Sequence, residues 1–435
     1  MKPTPLEDLV GRAIGNATRP LSRAAIEAWQ GEQLSRLITY CTARSPYYRR
    51  KLAGRGTAIR GLDDLAALPL TTEAELRSHG AEMVCVSQDA VARIISLHSS
   101  GTTGPAKRLW FTEADLEQTL DFFHLGMGQM ADPGEGVAIL LPGATPDSTG
   151  DLLARAVGRL QARSTILGLA PDPVQAAQAI ATVRPEVLVG LPVQILALAR
   201  MAAHLGLELA PVRAVLLCSD YIPTSLSRSV QQLLGCEVFT HYGTVETGLG
   251  GAVDCTAHCG CHLREADLLV EIIDPQTCLP VADATWGEIV CTTLTRTGTP
   301  LIRYRTGDRG RLLPGPCDCT SNIRRLDRVR GRIDQVRTLH TSAQLSLPEL
   351  DELLFTLSGL LDFSATLVTR NGQEELHVRL TTVPGEEAAV QRLATDLLRG
   401  HPSLRDLVVM VDLVPGTLIH PAKRRLEDLR KDHIS

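Results

Sequence analysis

The chain has 435 residues, and at roughly 150 residues per domain that length gives two to three domains. Lysine and arginine total 44 against 49 acidic residues, a net charge of −5, so the basic excess carried by nucleic-acid binders is missing. Hydrophobic residues at 44% and charged residues at 21% fit a globular fold, and aromatics at 3% speak against base-stacking surfaces and sugar platforms.

The segment from Met1 to Pro20 has early acidic residues and no apolar core of a signal peptide. No run reaches the roughly 18 apolar residues of a membrane span. Eleven cysteines, an odd number, then point to reduced thiols and a cytoplasmic protein without a membrane partner. Leu21 to Leu52 has helical periodicity, and Thr71-Thr-Glu-Ala-Glu-Leu76 reads as a capped helix start. A strand is expected over Ala92 to Leu97, followed by a loop of serine, glycine and threonine from Ser99 to Gly104.

From Gly136 onward, short apolar runs alternate with helical stretches. Val137–Leu141 precedes a helix over Gly150–Leu160, Val187–Gly190 precedes one over Val193–Leu205, and Ala214–Cys218 precedes Leu226–Leu234. Such alternation is the trace of β-α units stacked around a mostly parallel sheet. Leu268–Ile273, Gly287–Thr293 and Arg309–Leu313 follow as strands without intervening helices. After Gly331 the texture becomes α+β: helices over Pro348–Leu357 and Glu386–Leu398, strands over Ala365–Val368, Glu374–Leu380 and Val408–Val414. The expected class is α/β, with a large domain over 1–331 and a small mobile α+β domain over 332–435.

His98-Ser-Ser-Gly-Thr-Thr-Gly-Pro-Ala-Lys107 places hydroxyls, glycines and a lysine directly after a strand. Glycines let backbone N–H groups approach a phosphate, and lysine adds a point charge. The spacing is not that of a Walker A loop. Ser99, Ser100, Gly101, Thr102, Thr103 and Gly104 resemble the phosphate loop of the adenylate-forming superfamily of acyl-CoA synthetases and adenylation domains. Ser45-Pro-Tyr-Tyr-Arg-Arg50 and Leu68-Pro-Leu-Thr-Thr-Glu-Ala-Glu-Leu76 are similar to its phenylacetate–CoA ligase branch. The resemblance runs from about Leu34 to Leu429. It departs locally, since Gly104-Pro-Ala-Lys107 stands where the branch has Gly-x-Pro-Lys or Gly-Lys-Pro-Thr.

The resemblance implies roles in order along the chain. Ser219 and Asp220 stand at an adenine contact. His241-Tyr-Gly-Thr-Val-Glu-Thr247 resembles the Tyr-Gly-x-Thr/Ser-Glu segment, placing Tyr242, Gly243 and Thr244 at the nucleotide and Glu246 on magnesium. A carboxylate suits that hard cation. Val245 replaces a hydroxyl residue there, and Thr244 is its substitute. Arg303-Tyr-Arg-Thr-Gly-Asp308 resembles the Tyr-x-Thr-Gly-Asp signature, in which Asp308 accepts the ribose hydroxyls. Gly331-Arg-Ile-Asp334 resembles the hinge, with Arg332 on ribose or phosphate and Asp334 as pivot. His420-Pro-Ala-Lys-Arg-Arg425 resembles the catalytic-lysine loop, so Lys423 and Lys107 act as electrostatic clamps.

The implied function is ATP- and Mg2+-dependent activation of a small carboxylic acid to an acyl adenylate, then a thioester with coenzyme A. Gln335-Val-Arg-Thr-Leu-His-Thr-Ser-Ala-Gln344 departs from the branch's glycine-rich loop, which keeps a carrier protein or another acceptor as the alternative. A zinc-stabilised, non-catalytic relative is the other alternative, and a homodimer is left open. Pro142–Gly150 and Gly190–Val193 are expected to flank the acyl pocket, where Asp147, Ser148 and Thr149 suit a hydroxylated or amino acid.

Two cysteine groups, Cys255-Thr-Ala-His-Cys-Gly-Cys-His262 and Cys317-Asp-Cys319, supply zinc-type ligands. The residues alone leave His258, Cys259 and Cys261 in competition with His262. Similarity to a subset of phenylacetate-ligase-like proteins implies Cys255, His262, Cys317 and Cys319 as a structural Zn2+ clasp over 255–319.

Overall fold

The computed structural model describes residues 3–16, 18–54, 61–97, 106–421 and 423–430. The phosphate-loop residues Ser99 to Gly104 lie outside them. The fold is mixed α/β, as expected, and divides into two compact units. The first comprises Met1–Met130, Pro146–Leu160 and His241–Val329; the second comprises Ala131–Thr145, Gln161–Thr240 and Arg330–Ser435.

In the second unit, strands Arg163–Ile166, Gly136–Leu140, Val187–Gly190 and Ala214–Leu217 lie side by side in that order, all parallel. Val187–Gly190 and Ala214–Leu217 are buried at every position, which explains their unbroken apolar runs. The connecting helices Pro173–Val183, Pro192–His204 and Thr224–Leu234 begin where the sequence offers preset starts. Asp172 caps the first by accepting from Val174 and Gln175 N–H, and proline occupies the opening turn of the first two. Pro192–His204 is apolar nearly all round and correspondingly buried from Pro192 to Ala202.

The α+β segment after Arg330 packs on these helices within the same unit. Its sheet runs Val408–Leu413, Gln373–Thr382, Leu360–Arg370, Leu426–Asp428, with the central pair antiparallel and both outer strands parallel to their neighbours. Leu196, Leu198, Leu226, Leu350, Leu361 and Leu376 share one apolar core. Arg200 crosses it, donating to Leu360 O and, at 3.2 Å, to Phe355 O. Burial holds its pKa down to about 10.

In the first unit, the periodicity over Leu21 to Leu52 resolves into helices Arg23–Arg44 and Pro46–Lys51, broken at Ser45 because Pro46 disfavours helical backbone before it. Thr72 and Glu75 form the expected capping box of helix Glu73–Met83. Strands Arg93–Leu97 and Lys107–Phe111 pair antiparallel on either side of residues 98–105. A three-stranded antiparallel sheet is built from Leu268–Ile273, Gly287–Thr293 and Tyr304–Gly310. Its last strand runs Tyr304–Gly310, with a bulge opposite Ile289 that takes in Thr306 to Asp308, and the expected strand Arg309–Leu313 is divided, since Leu312–Leu313 pairs with Arg325–Leu326 in another sheet. Gly307, at φ 75°, makes that bulge in the left-handed region that glycine favours.

Among the described residues no helix is long and apolar enough to cross a membrane.

Candidate functional site

In the first unit, Tyr242, the last residue of strand Glu237–Tyr242, donates its hydroxyl to Asp308 Oδ2 at 3.0 Å. The Thr306–Asp308 bulge turns Asp308 toward this phenol, and both side chains are buried. Gly243 follows directly. A Cβ there would lie 2.5 Å from Leu249 O and 2.6 Å from His241 Cε1, so only glycine lets the turn close. Thr244 and Thr247 then lock the turn reciprocally: each backbone N–H donates to the other's hydroxyl, at 3.0 and 3.3 Å.

That turn presents Glu246, only 5% exposed. Its Oε1 accepts from Lys107 Nζ and, at 3.1 Å, from the Tyr304 hydroxyl. Arg296 donates to the Glu246 carbonyl at 2.6 Å and fixes the backbone beneath the carboxylate. Burial pushes the Glu246 pKa up, but the Lys107 charge and hydrogen bond outweigh it, and the net direction is down. The carboxylate is therefore ionised although buried. Lys107 Nζ also lies 3.8 Å from Glu73 Oε1. Lys107, Tyr242, Gly243, Thr244, Glu246 and Asp308 thus stand in one neighbourhood, joined by Tyr304 and Arg296. Tyr304 is the first residue of the Tyr-x-Thr-Gly-Asp match, which implies no contact with Glu246, and Arg296 stands in no motif.

His241 packs against Phe122 and Phe123, and burial holds its pKa down to about 4 from the ordinary 6.5. The unfolded chain protonates this ring near 6.5, whereas the folded chain resists until about 4. Stability should be full above pH 6.5 and fall as pH drops through that window, by up to about 3 kcal/mol from this group. Urea midpoints at pH 7 and pH 4.5 measure it. His241→Asn should flatten the difference, and an unchanged difference would assign the acid sensitivity elsewhere.

In the second unit, Ser219 takes a left-handed backbone (φ 70°), and Asp220 Oδ1 accepts from Tyr221 N–H at 2.8 Å. Lys423 is exposed, and its charge reaches the Cys218 thiol; burial nonetheless pushes that thiol up to about 11. Ile419 N–H donates to Pro171 O at 2.9 Å, and Gln194 Nε2 to Pro421 O at 3.4 Å, seating the loop from one side. Arg332 is partly exposed and pairs with Asp334 at 3.1 Å, directly after Gly331 at φ 77°.

The cysteine groups also converge in the first unit. Ligand atoms of Cys255, His262, Cys317 and Cys319, all buried, lie within 4.8 Å of one another. Cys255 and Cys317 sulfurs are 3.7 Å apart, and Cys319 Sγ is 3.4 Å from His262 Nε2. Zn–S near 2.3 Å and Zn–N near 2.0–2.1 Å give tetrahedral edges of about 3.8 and 3.6 Å, so these four residues fit a zinc-sized ion. Two of the competitors are turned to other partners: His258 to Asp254 at 2.9 Å, Cys259 to Ala257 O at 3.1 Å. Arg325 gathers the surrounding loop by donating to Cys259 O, Pro314 O and Pro316 O. Glu7 accepts from Ser321 Oγ at 2.7 Å and ties the N-terminal helix Leu6–Ile14 to the same loop.

A family profile described as AMP-binding enzyme matches residues 49–294. The chain is 28% identical over 405 residues to a phenylacetate–coenzyme A ligase of Thermus thermophilus, covering 89% of this chain and 88% of that one. It is 28% identical over 331 residues to the Escherichia coli K12 phenylacetate–coenzyme A ligase, covering 73% and 74%. A solved 2-hydroxyisobutyryl-CoA ligase, in its postadenylation state with 2-HIB-AMP, superposes with TM-score 0.81 over 95% of this chain and 91% of that one, at 19% identity. That likeness concerns the fold. Together with the order of motifs from Tyr242 to Asp308, the profile match places the chain in the AMP-binding enzyme family, on the phenylacetate–CoA ligase-like branch of the adenylate-forming superfamily.

Proposed function

We propose that this chain is an AMP-forming acid–thiol ligase that activates a small carboxylic acid with ATP and passes the acyl group to coenzyme A. The observation that carries this reading is the buried Lys107–Glu246–Tyr304 cluster beside the Tyr242–Asp308 pair. A carboxylate oxygen of the acid attacks the α-phosphorus, forming a C–O–P bond as the α–β anhydride breaks and pyrophosphate leaves. The thiol sulfur of coenzyme A then attacks the acyl carbon, the acyl C–O bond breaks and AMP departs, with the thiol proton lost to solvent.

Glu246 would hold magnesium, which neutralises phosphate charge when bound. Lys107 pairs with Glu246, Asp308 offers two oxygens to a ribose, and Tyr242 supplies an aromatic face. Lys423 would clamp the acid and α-phosphate, and Arg332 would meet ribose or phosphate. The segment 332–435 would act as a lid turning near Gly331 to Asp334, shielding the adenylate from water. Cys255, His262, Cys317 and Cys319 would hold a structural zinc.

The test is ATP–pyrophosphate exchange with Mg2+ and a panel of phenylacetate, benzoate, 2-hydroxyisobutyrate and short aliphatic acids. Acid-dependent exchange followed by a coenzyme A thioester is expected. No exchange with any acid, combined with no ATP binding by calorimetry, would overturn the proposal. Exchange without a coenzyme A thioester would redirect the second step to a carrier.

A further inference from the structure

Arg424 follows the exposed Lys423 directly, yet its own side chain is only 6% exposed. Its Nη2 donates to Asp351 Oδ1 at 2.8 Å, and its Nε lies 3.6 Å from Asp362 Oδ1. The guanidinium also lies over two aromatic rings, 5.0 Å from the centroids of Phe355 and Phe363. Asp362 makes a second contact with the loop, where its Oδ2 accepts from His420 N–H at 2.9 Å. One buried carboxylate therefore grips the loop on both sides of Lys423, at residue 420 and at residue 424.

Burying one cation with two carboxylates is a poor way to gain stability, because desolvation offsets most of the attraction and apolar side chains of equal volume often serve as well. What such a cluster provides is a fixed direction. A planar guanidinium held by two carboxylates and two rings has one orientation, and the backbone of the adjoining residue inherits it.

We infer that Arg424 is a positioning residue that aims Lys423, acting through the Asp351–Arg424–Asp362 cluster on the turn that carries the lysine. This rests on the proposed role of Lys423 in adenylation. A displacement of about 1 Å can cost about a hundredfold in rate even when the chemical group is intact.

The experiment separates the two half-reactions, using the acid chosen by the panel and its chemically synthesised adenylate. Arg424→Met keeps length and apolar bulk but removes the charge. Its pyrophosphate-exchange kcat should fall about 30- to 100-fold while the ATP KM moves less than about threefold. Coenzyme A acylation from the synthetic adenylate should stay within about threefold of wild type, since that step does not call on Lys423. Arg424→Lys should recover about a third or more of the lost exchange on a logarithmic scale, by restoring the ion pair without the fork. Because emptying a buried pair strands its partners, Arg424→Lys and Asp362→Asn carry the same comparison if Arg424→Met does not fold.

Wild-type exchange in a folded Arg424→Met, or equal losses in both half-reactions, would overturn the inference. Lys423→Ala provides the control on the underlying reading. Exchange that survives Lys423→Ala removes the role of Lys423 and the inference with it. Loss in Lys423→Ala with none in Arg424→Met overturns the inference alone.

Discussion

Glu246→Gln is expected to lower acid-dependent pyrophosphate exchange by at least about a hundredfold at saturating Mg·ATP, the scale seen when one preorganised electrostatic group is removed. Glutamine keeps the length of the side chain and an oxygen for the Tyr304 hydroxyl, so the geometry around it has little reason to change. It removes the charge that would hold the metal, and the charge that balances Lys107 in a site where both are nearly inaccessible. Breaking one side of a buried pair costs about 3 kcal/mol or more. Here Glu73, already 3.8 Å from Lys107, can take up part of the burden, so the lower end is expected. Lys107→Met should destabilise by a comparable amount, and the double variant should be less damaged than the sum of the singles. Exchange kinetics and urea unfolding read the two effects separately. Activity in Glu246→Gln within about tenfold of wild type would show that this carboxylate is not the metal ligand.

The second large effect concerns the cysteine cluster. Purified protein is expected to carry about one zinc per chain, and Cys319→Ser to carry none, as a four-ligand structural site demands. Cys259→Ser should keep its metal, because that thiol faces Ala257 O and Asp318 instead. Free zinc about a thousandfold above the dissociation constant contributes about 4 kcal/mol to the folded state, so chelation should lower the melting temperature markedly. The first segment to loosen should be helix Leu6–Ile14, which Glu7 fastens to Ser321 and Asn322 next to the cluster. Metal analysis and protease susceptibility near the N-terminus are the measurements. A zinc-free wild type, or full zinc in Cys319→Ser, would sink the clasp.

What the sequence reveals and what it hides can be traced residue by residue. Glu246 and Asp308 stand in short motifs whose order along the chain is diagnostic, so their neighbourhood is legible. The partner of Glu246 is not: Lys107 lies 139 positions earlier, after a loop that departs from the branch pattern, and only folding joins them. Tyr304 heads the Tyr-x-Thr-Gly-Asp match, but its hydroxyl's contact with Glu246 is seen only in the fold, and Arg296, outside every motif, is used through the Glu246 backbone carbonyl. The choice among His258, Cys259, Cys261 and His262 needs the turn at His258 and Gly260, both with positive φ, which directs neighbouring side chains to different sides. Strand Glu237–Tyr242 mixes polar and apolar residues and shows no clean period, whereas Val187–Gly190 is unmistakable because it is buried throughout. The run Lys423-Arg-Arg425 is read for its lysine, and nothing in the sequence marks the middle residue, which is buried among carboxylates and rings.

The division of the chain into two units has a consequence for synthesis. The chain passes from one unit to the other after Met130, Thr145, Leu160, Thr240 and Val329. Neither unit is a continuous stretch that a ribosome could release and leave to fold alone. The first waits for residues up to Val329, and the second for the segment that begins at Arg330. Most compact domains close as soon as their own stretch has emerged. Here the first body needs the chain through Val329 and the second needs the segment after it, so a nascent chain would spend much of its elongation with apolar strands such as Val187–Gly190 uncovered, in the period when chaperones matter most.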